Sequence, residues 1–146
     1  FNTLSNHNII STELGAIGMA VETVDYNKNG KVDVVIGNER GKWHLFKNEL
    51  ASAKQNNFIT IEVSNSKGDN VSPLGAVVEV SSCKNKQLKR IGSSGSQYSL
   101  NYNTFAHFGL GICSSAIKVK VTYSNGEVIE QTISNLNQTV LIGKKN

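Results

Sequence analysis

The chain has 146 residues, a net charge of +4, 38 % apolar residues and 18 % charged ones. That is an ordinary globular composition, enough for one domain or one domain plus a fragment. No apolar run reaches the length of a membrane span, so a spanning helix is excluded. Asn, Ser, Gly and Thr are abundant and there is one proline, a mixture that suits short strands joined by turns. The chain opens on Phe1 without Met, which is expected of a mature or excised piece.

In chain order, Gly18 to Val24 reads as a strand, Val32 to Gly37 as an apolar strand, and Trp43 to Asn48 as a third, with Trp43 and Leu45 on one face. Three strands joined by tight turns make a meander, which alone buries little apolar surface. Between the first two lies Asp25-Tyr-Asn-Lys-Asn-Gly-Lys-Val-Asp33. Asp25, Asn27 and Asn29 alternate, and Gly30 permits a sharp turn after the third. Hard cations of the Ca²⁺ type need such an oxygen cage. The expected metal ligands are Asp25, Asn27, Asn29, the carbonyl of Lys31, and Asp33.

The spacing is not that of an EF-hand, because Asp33 stands ninth in the loop and already inside a strand. Only two of the ligands are carboxylates, so the expected affinity is that of extracellular modules, roughly 10⁻⁴–10⁻³ M. The alternative is a plain Asn-Lys-Asn-Gly turn. Asp33 speaks against it, since an Asp between Val32 and Val34 is poorly placed unless something neutralises it.

Residues 49–57 read as a linker or a single helical turn. Beyond them, Phe58 to Val63 alternates with Ile59, Ile61 and Val63 on one face. Further strands are expected at 75–80, 88–91, 106–111, 116–123, 128–134 and 139–142. In the fourth of these, Ile117, Val119, Val121 and Tyr123 point in, while Lys118, Lys120 and Thr122 point out. Asn125-Gly126 signals a type I′ hairpin. About seven short strands and no useful amphipathic helix give an all-β fold, a meander followed by a β-sandwich-like domain or small barrel.

Lys84, Lys86, Lys89 and Arg90 read as a solvated hairpin tip whose lysines guard a strand end. The second reading is a polyanion-binding patch. Cys83 and Cys113 either close one disulfide in an exported protein or sit as two separate buried thiols.

No catalytic arrangement emerges. His7, His44 and His107 form no metal-binding pair, and His107 reads as a satisfied, buried histidine. Ser93, Ser94 and Ser96 among glycines match neither a nucleophile elbow nor a phosphate loop. Glu62, Asp69, Glu79, Glu127 and Glu130 show no glycosidase-like pairing. Tyr98, Tyr102, Phe105 and Phe108 form either core packing or a stacking platform.

These motifs carry two resemblances. Gly18 to Leu50, with its Asp-x-Asn-x-Asn-Gly-x-x-Asp loop and Leu45-Phe-Lys-Asn48, resembles an FG-GAP/VCBS-type propeller repeat. Phe58 to Ile142 resembles an ASPIC/UnbV domain, through Phe58-Ile-Thr-Ile-Glu-Val63, Asn65-Ser-Lys-Gly68, Leu74 to Val80, Gly92-Ser-Ser-Gly-Ser96 and His107-Phe-Gly-Leu-Gly111. The family often has Trp-Pro-Ser-Gly where this chain has Thr122 to Gly126, and the repeat often has aspartates where Asn27 and Asn29 stand.

The resemblance implies a remnant of a propeller blade over 1–50, missing its neighbouring repeats, and a sandwich domain over 56–146. It implies an exported protein: extracellular, surface-attached or periplasmic. The expected function is a non-catalytic binding, adhesion or structural module with a protein or carbohydrate ligand and a calcium-type loop. Polysaccharide or polyanion binding through residues 84–90, or a role as a hydrolase accessory domain, is the alternative. Nucleic acid is not an expected partner.

Overall fold

The computed structural model describes residues 17–49, 56–83, 85–92 and 103–144. They form ten strands and no helix, so the all-β expectation holds. No helix among them is long and apolar enough to cross a membrane. The linker at 49–57 lies mostly outside the described residues, as do Ser93, Ser94, Ser96, Tyr98 and Tyr102.

β1 (Ile17–Val24), β2 (Asp33–Glu39) and β3 (His44–Phe46) make an antiparallel meander in the order β1-β2-β3. Its two turns are short enough that each strand pairs with its chain neighbour. A register shift between Gly18 and Ala20 marks a bulge in β1.

Seven strands follow. β4 (Asn57–Val63), β7 (Phe105–Gly111) and β10 (Gln138–Ile142) form one sheet in the order β10-β4-β7. β5 (Val77–Ser82), β6 (Asn85–Arg90), β8 (Ile117–Thr122) and β9 (Val128–Ile133) form the other, in the order β6-β5-β8-β9. Every pairing is antiparallel except β10 with β4, which is parallel.

The two sheets share one core. Ile59, Ile61, Val63 and Phe108 come from the first, and Val78, Val80, Ile117, Val119 and Val121 from the second. Each is essentially inaccessible to solvent. The alternation read from the sequence of β4 and β8 therefore places one face of each in the core. Burying side chains of this size contributes about 1.5–3 kcal/mol apiece before the entropic cost of ordering them. Cys83 and Cys113 are joined by a disulfide that ties the end of β5 to the segment after β7, and so one sheet to the other.

Solvent covers the outer face of the four-stranded sheet, where charges alternate in sign across the strands. Lys86 pairs with Glu79 at 2.9 Å, Glu79 lies opposite Lys120, and Lys120 meets Glu130 at 3.8 Å. The described part of the basic strip is thereby divided, with Lys86 on this outer face and Lys89 on the opposite one, and Lys84 lies outside the described residues.

The β8–β9 turn corrects one expectation. A type I′ turn needs positive φ at both central residues, but only Gly126 adopts it, at 89°. The loop runs from Tyr123 to Glu127, closed by Gly126 N–H donating to the Tyr123 carbonyl at 3.0 Å. Asn125 instead uses its side chain: its amide donates to Asp69, and its oxygen accepts from the Glu127 N–H. Glu127 in turn accepts from the backbone N–H groups of Gly68 and Asp69. The Ser66 hydroxyl and these N–H groups hold its carboxyl below the ordinary carboxylate value.

Candidate functional site

The Asp25–Asp33 loop is held by its own side chains. The two Asp25 oxygens accept from the N–H groups of Asn29 (2.9 Å) and Gly30 (2.7 Å). Asn27 accepts from Asn29 N–H at 3.2 Å, and Asn29 accepts from Lys31 N–H at 2.8 Å. Lys28 and Gly30 take positive φ, at 58° and 84°, which lets successive N–H groups turn toward the Asp25 carboxylate.

Asp33 is fully buried. Its carboxylate accepts from Asn48 N–H at 2.7 Å and Tyr26 N–H at 3.4 Å, and the Asn48 side chain returns to the Val32 carbonyl. The group that the sequence marked as needing compensation thus receives it from backbone N–H donors, and clamps the end of β3 to the start of β2.

The donor set suits a hard cation: two carboxylates and two amides, all oxygen. Each of the four residues already accepts a backbone N–H, and a carboxylate or amide oxygen so engaged keeps a second lone pair. The fit is one of donor chemistry. Asp25, Asn27 and Asn29 accept N–H groups within the turn, while Asp33 accepts those of Asn48 and Tyr26.

The same loop lies on the outer face of the β10-β4-β7 sheet. There Phe58, Thr60, Phe105 and His107 occupy the strand positions that alternate with the core residues. Phe58 stacks on the His107 ring, 5.4 Å between centroids and 22° between planes. A Cβ at Gly30 would collide with the Phe58 ring, so the loop approaches closer than any side-chain-bearing residue allows. This explains why Phe58, on the outward face of β4, is nonetheless buried.

His107 joins the two parts. Its Nδ1 shares a hydrogen bond with Thr60 Oγ1 at 3.1 Å. Burial holds its pKa below the ordinary 6.5; Asp25 pulls it up and Lys89 pushes it further down. The satisfied histidine expected from the sequence is thus satisfied by Thr60 of β4 and stacked on Phe58 beneath the loop.

Between the loop and the sheet opens a cavity of about 630 Å³. Lys28, Lys89 and Arg90 bring positive charge to its walls, Glu22 and Asp25 negative charge, and Phe105 an aromatic ring that is 48 % exposed. The Lys89 ammonium lies 5.7 Å from the Phe108 ring centroid. The walls combine cations, an aromatic face and the hydroxyl of Thr139, chemistry that suits polar or anionic groups beside a ring or apolar face.

Sequence reasoning named the loop and the basic strip separately and missed that they meet. It also missed Phe58, Thr60 and Lys28. The available signal was Phe58 itself, an aromatic residue on the strand face that the alternation assigned outward.

The family described as ASPIC and UnbV matches residues 66–146. No curated protein matches the chain. The matched span begins after β4, yet β4 lies at the centre of its sheet, so the folded unit is larger than the match.

Proposed function

Since the chain belongs to the ASPIC and UnbV family, matched over more than half its length, we propose that it is a non-catalytic extracellular binding or adhesion module whose ligand seats in the cleft between the Asp25 loop and the sandwich. The observation that carries this reading is the closure of the loop over Phe58 and His107 beside an open cavity. Both anchoring contacts stiffen one wall of the cleft, and a stiff wall lowers the ordering cost of binding. His107 is held by Thr60 and stacked on Phe58, which suits a positioning role better than proton transfer. The Cys83–Cys113 disulfide supports an oxidising location outside the cytosol.

In this reading Ca²⁺ is bound weakly by Asp25, Asn27, Asn29, the Lys31 carbonyl and Asp33, and supplies order to the loop, not chemistry. The meander is the remnant of a propeller-type repeat. Trp43 and Leu45, 75 % and 49 % exposed on one face, are where a neighbouring repeat would pack.

A second reading, binding of an acidic polysaccharide, draws on Lys28, Lys89 and Arg90 lining one cavity. Retention of the chain on immobilised heparin, polygalacturonate and dextran tests both. Phe105→Ala should weaken retention on every matrix that binds. Lys28→Asn, which keeps a residue at home in the left-handed region, should weaken it on the acidic ones alone and flatten its salt dependence. Retention that ignores both substitutions would exclude the cleft.

A further inference from the structure

Among the described residues, the sandwich is sealed along one side and open along the other. On the sealed side, β6 and β7 are the edge strands of their sheets. Gln87 and Lys89 lie opposite Val80 and Val78 and so point inward. Gln87 Nε2 donates to the Gly109 carbonyl at 2.7 Å, and Lys89 covers Phe108. Polar side chains from β6 thus cap the core there.

On the other side the edge strands are β9 and β10. Gln138, Val140 and Ile142 lie opposite Ile59, Ile61 and Val63, and Ile129 and Gln131 opposite Val121 and Val119. All five therefore point inward, toward core residues that are at most 1 % exposed. Yet Ile129 and Val140 are half-buried, and Gln131 and Gln138 are exposed. Their inner faces are uncovered among the described residues.

Between them runs a groove of about 730 Å³ along β10 from Gln138 to Lys144, with Ile129, Gln131 and Lys67 opposite. The outer edge of β10 carries no strand among the described residues, so alternate N–H and C=O groups point into this groove. Lys67 and Lys144 are its charged lining residues, and no carboxylate lines it.

We propose that this groove takes an extended acidic peptide segment as an added strand on β10. Backbone pairing with the open edge supplies the affinity, as in other strand-addition complexes. Alternate apolar side chains cover Ile129 and Val140, and acidic side chains at one end meet Lys67 and Lys144. The site adjoins the cleft at the Asp25 loop, since Gln138 and Thr139 line both, but its recognition rests on the β10 edge, Lys67 and Lys144.

The test uses the 146-residue chain and a fluorescein-labelled peptide of alternating Val and Thr ending in two Glu, read by anisotropy. The expected result is saturable one-to-one binding, with new hydrogen-exchange protection of amides in 138–142. A strand pairs through one edge, so N-methylation of one alternate set of peptide amides should weaken binding by about tenfold or more, and of the other set hardly at all. Replacing the terminal Glu by Lys should weaken binding, and the Lys67→Glu/Lys144→Glu double variant should invert that preference. Several results would overturn the proposal: no saturable binding at millimolar peptide, equal binding of both N-methylated peptides, or indifference to peptide charge. Self-association that protects 138–142 without peptide would assign the groove to a second copy and overturn it too.

Discussion

Gly30 lies against the Phe58 ring with no room for a Cβ, and its φ of 84° is one that L residues rarely adopt. Two independent constraints therefore meet at one residue, and through it the meander is seated on the sandwich. Gly30→Ala is expected to cost about 1–3 kcal/mol in the seating of the loop, by overpacking and backbone strain together. Limited proteolysis of the 25–32 segment checks this: the variant should be cut faster while the sandwich stays intact.

The pH response of that seating follows from His107. Its folded-state pKa lies below 6.5, chiefly because of burial. Between the folded value and 6.5 the unfolded chain binds more protons, so stability rises with pH through that window. The contribution is complete above 6.5 and is lost as pH falls toward the folded value. Thermal melts should show decreasing stability from pH 7 into the acid side of 6.5. His107→Gln should lower the melting temperature at pH 7 and flatten the slope that His107 contributes.

Calcium should act on the loop and not on the sandwich. For a dissociation constant near 1 mM, 10 mM Ca²⁺ stabilises by roughly 1.4 kcal/mol. The expected outcome is a rise in the melting temperature of the meander, reduced in Asn27→Ala and Asn29→Ala. Asp33→Ala is a poorer test, because it also strips the carboxylate from Asn48 and Tyr26 N–H and destabilises the meander without metal. An unchanged melting curve at 10 mM Ca²⁺ would remove the metal from the account.

Reduction of Cys83–Cys113 should destabilise the sandwich by roughly 3–4 kcal/mol in the chain-entropy view of a closed loop, here with the two residues 30 apart. Urea denaturation with and without dithiothreitol measures it. Cys83→Ser/Cys113→Ser should match the reduced protein, and Gln87 and Lys89 should then still link β6 to β7 across that seam.

All ten strands were legible, because the alternation in segments such as Ile117 to Tyr123 reports directly which side chains the core takes. Their ends moved by a residue or two, and β6 began earlier than the expected 88–91, since Asn85, Lys86 and Gln87 are all polar and carry no periodic signal. The Asp33 argument was legible from one charged residue in an apolar strand. The compensating N–H of Asn48 was not, because it comes from 15 residues away. The cleft was not legible either. It exists where the 25–32 loop meets β4, β6 and β7, and such a meeting leaves no pattern in either segment. The Asn125-Gly126 signal failed because Asn125 found side-chain partners in Asp69 and Glu127, which a local turn rule does not include.

The parallel pairing of β10 with β4 has a mechanical consequence. The start of β4 and the end of β10 lie at opposite ends of the same ladder, across five paired positions. A pull applied at those two points runs along the strands, so the ladder's hydrogen bonds share the load and must shear together. An antiparallel pair pulled at its open end yields one bond at a time. A domain with this connection resists tension along its length, and the disulfide holds its two sheets against sideways separation.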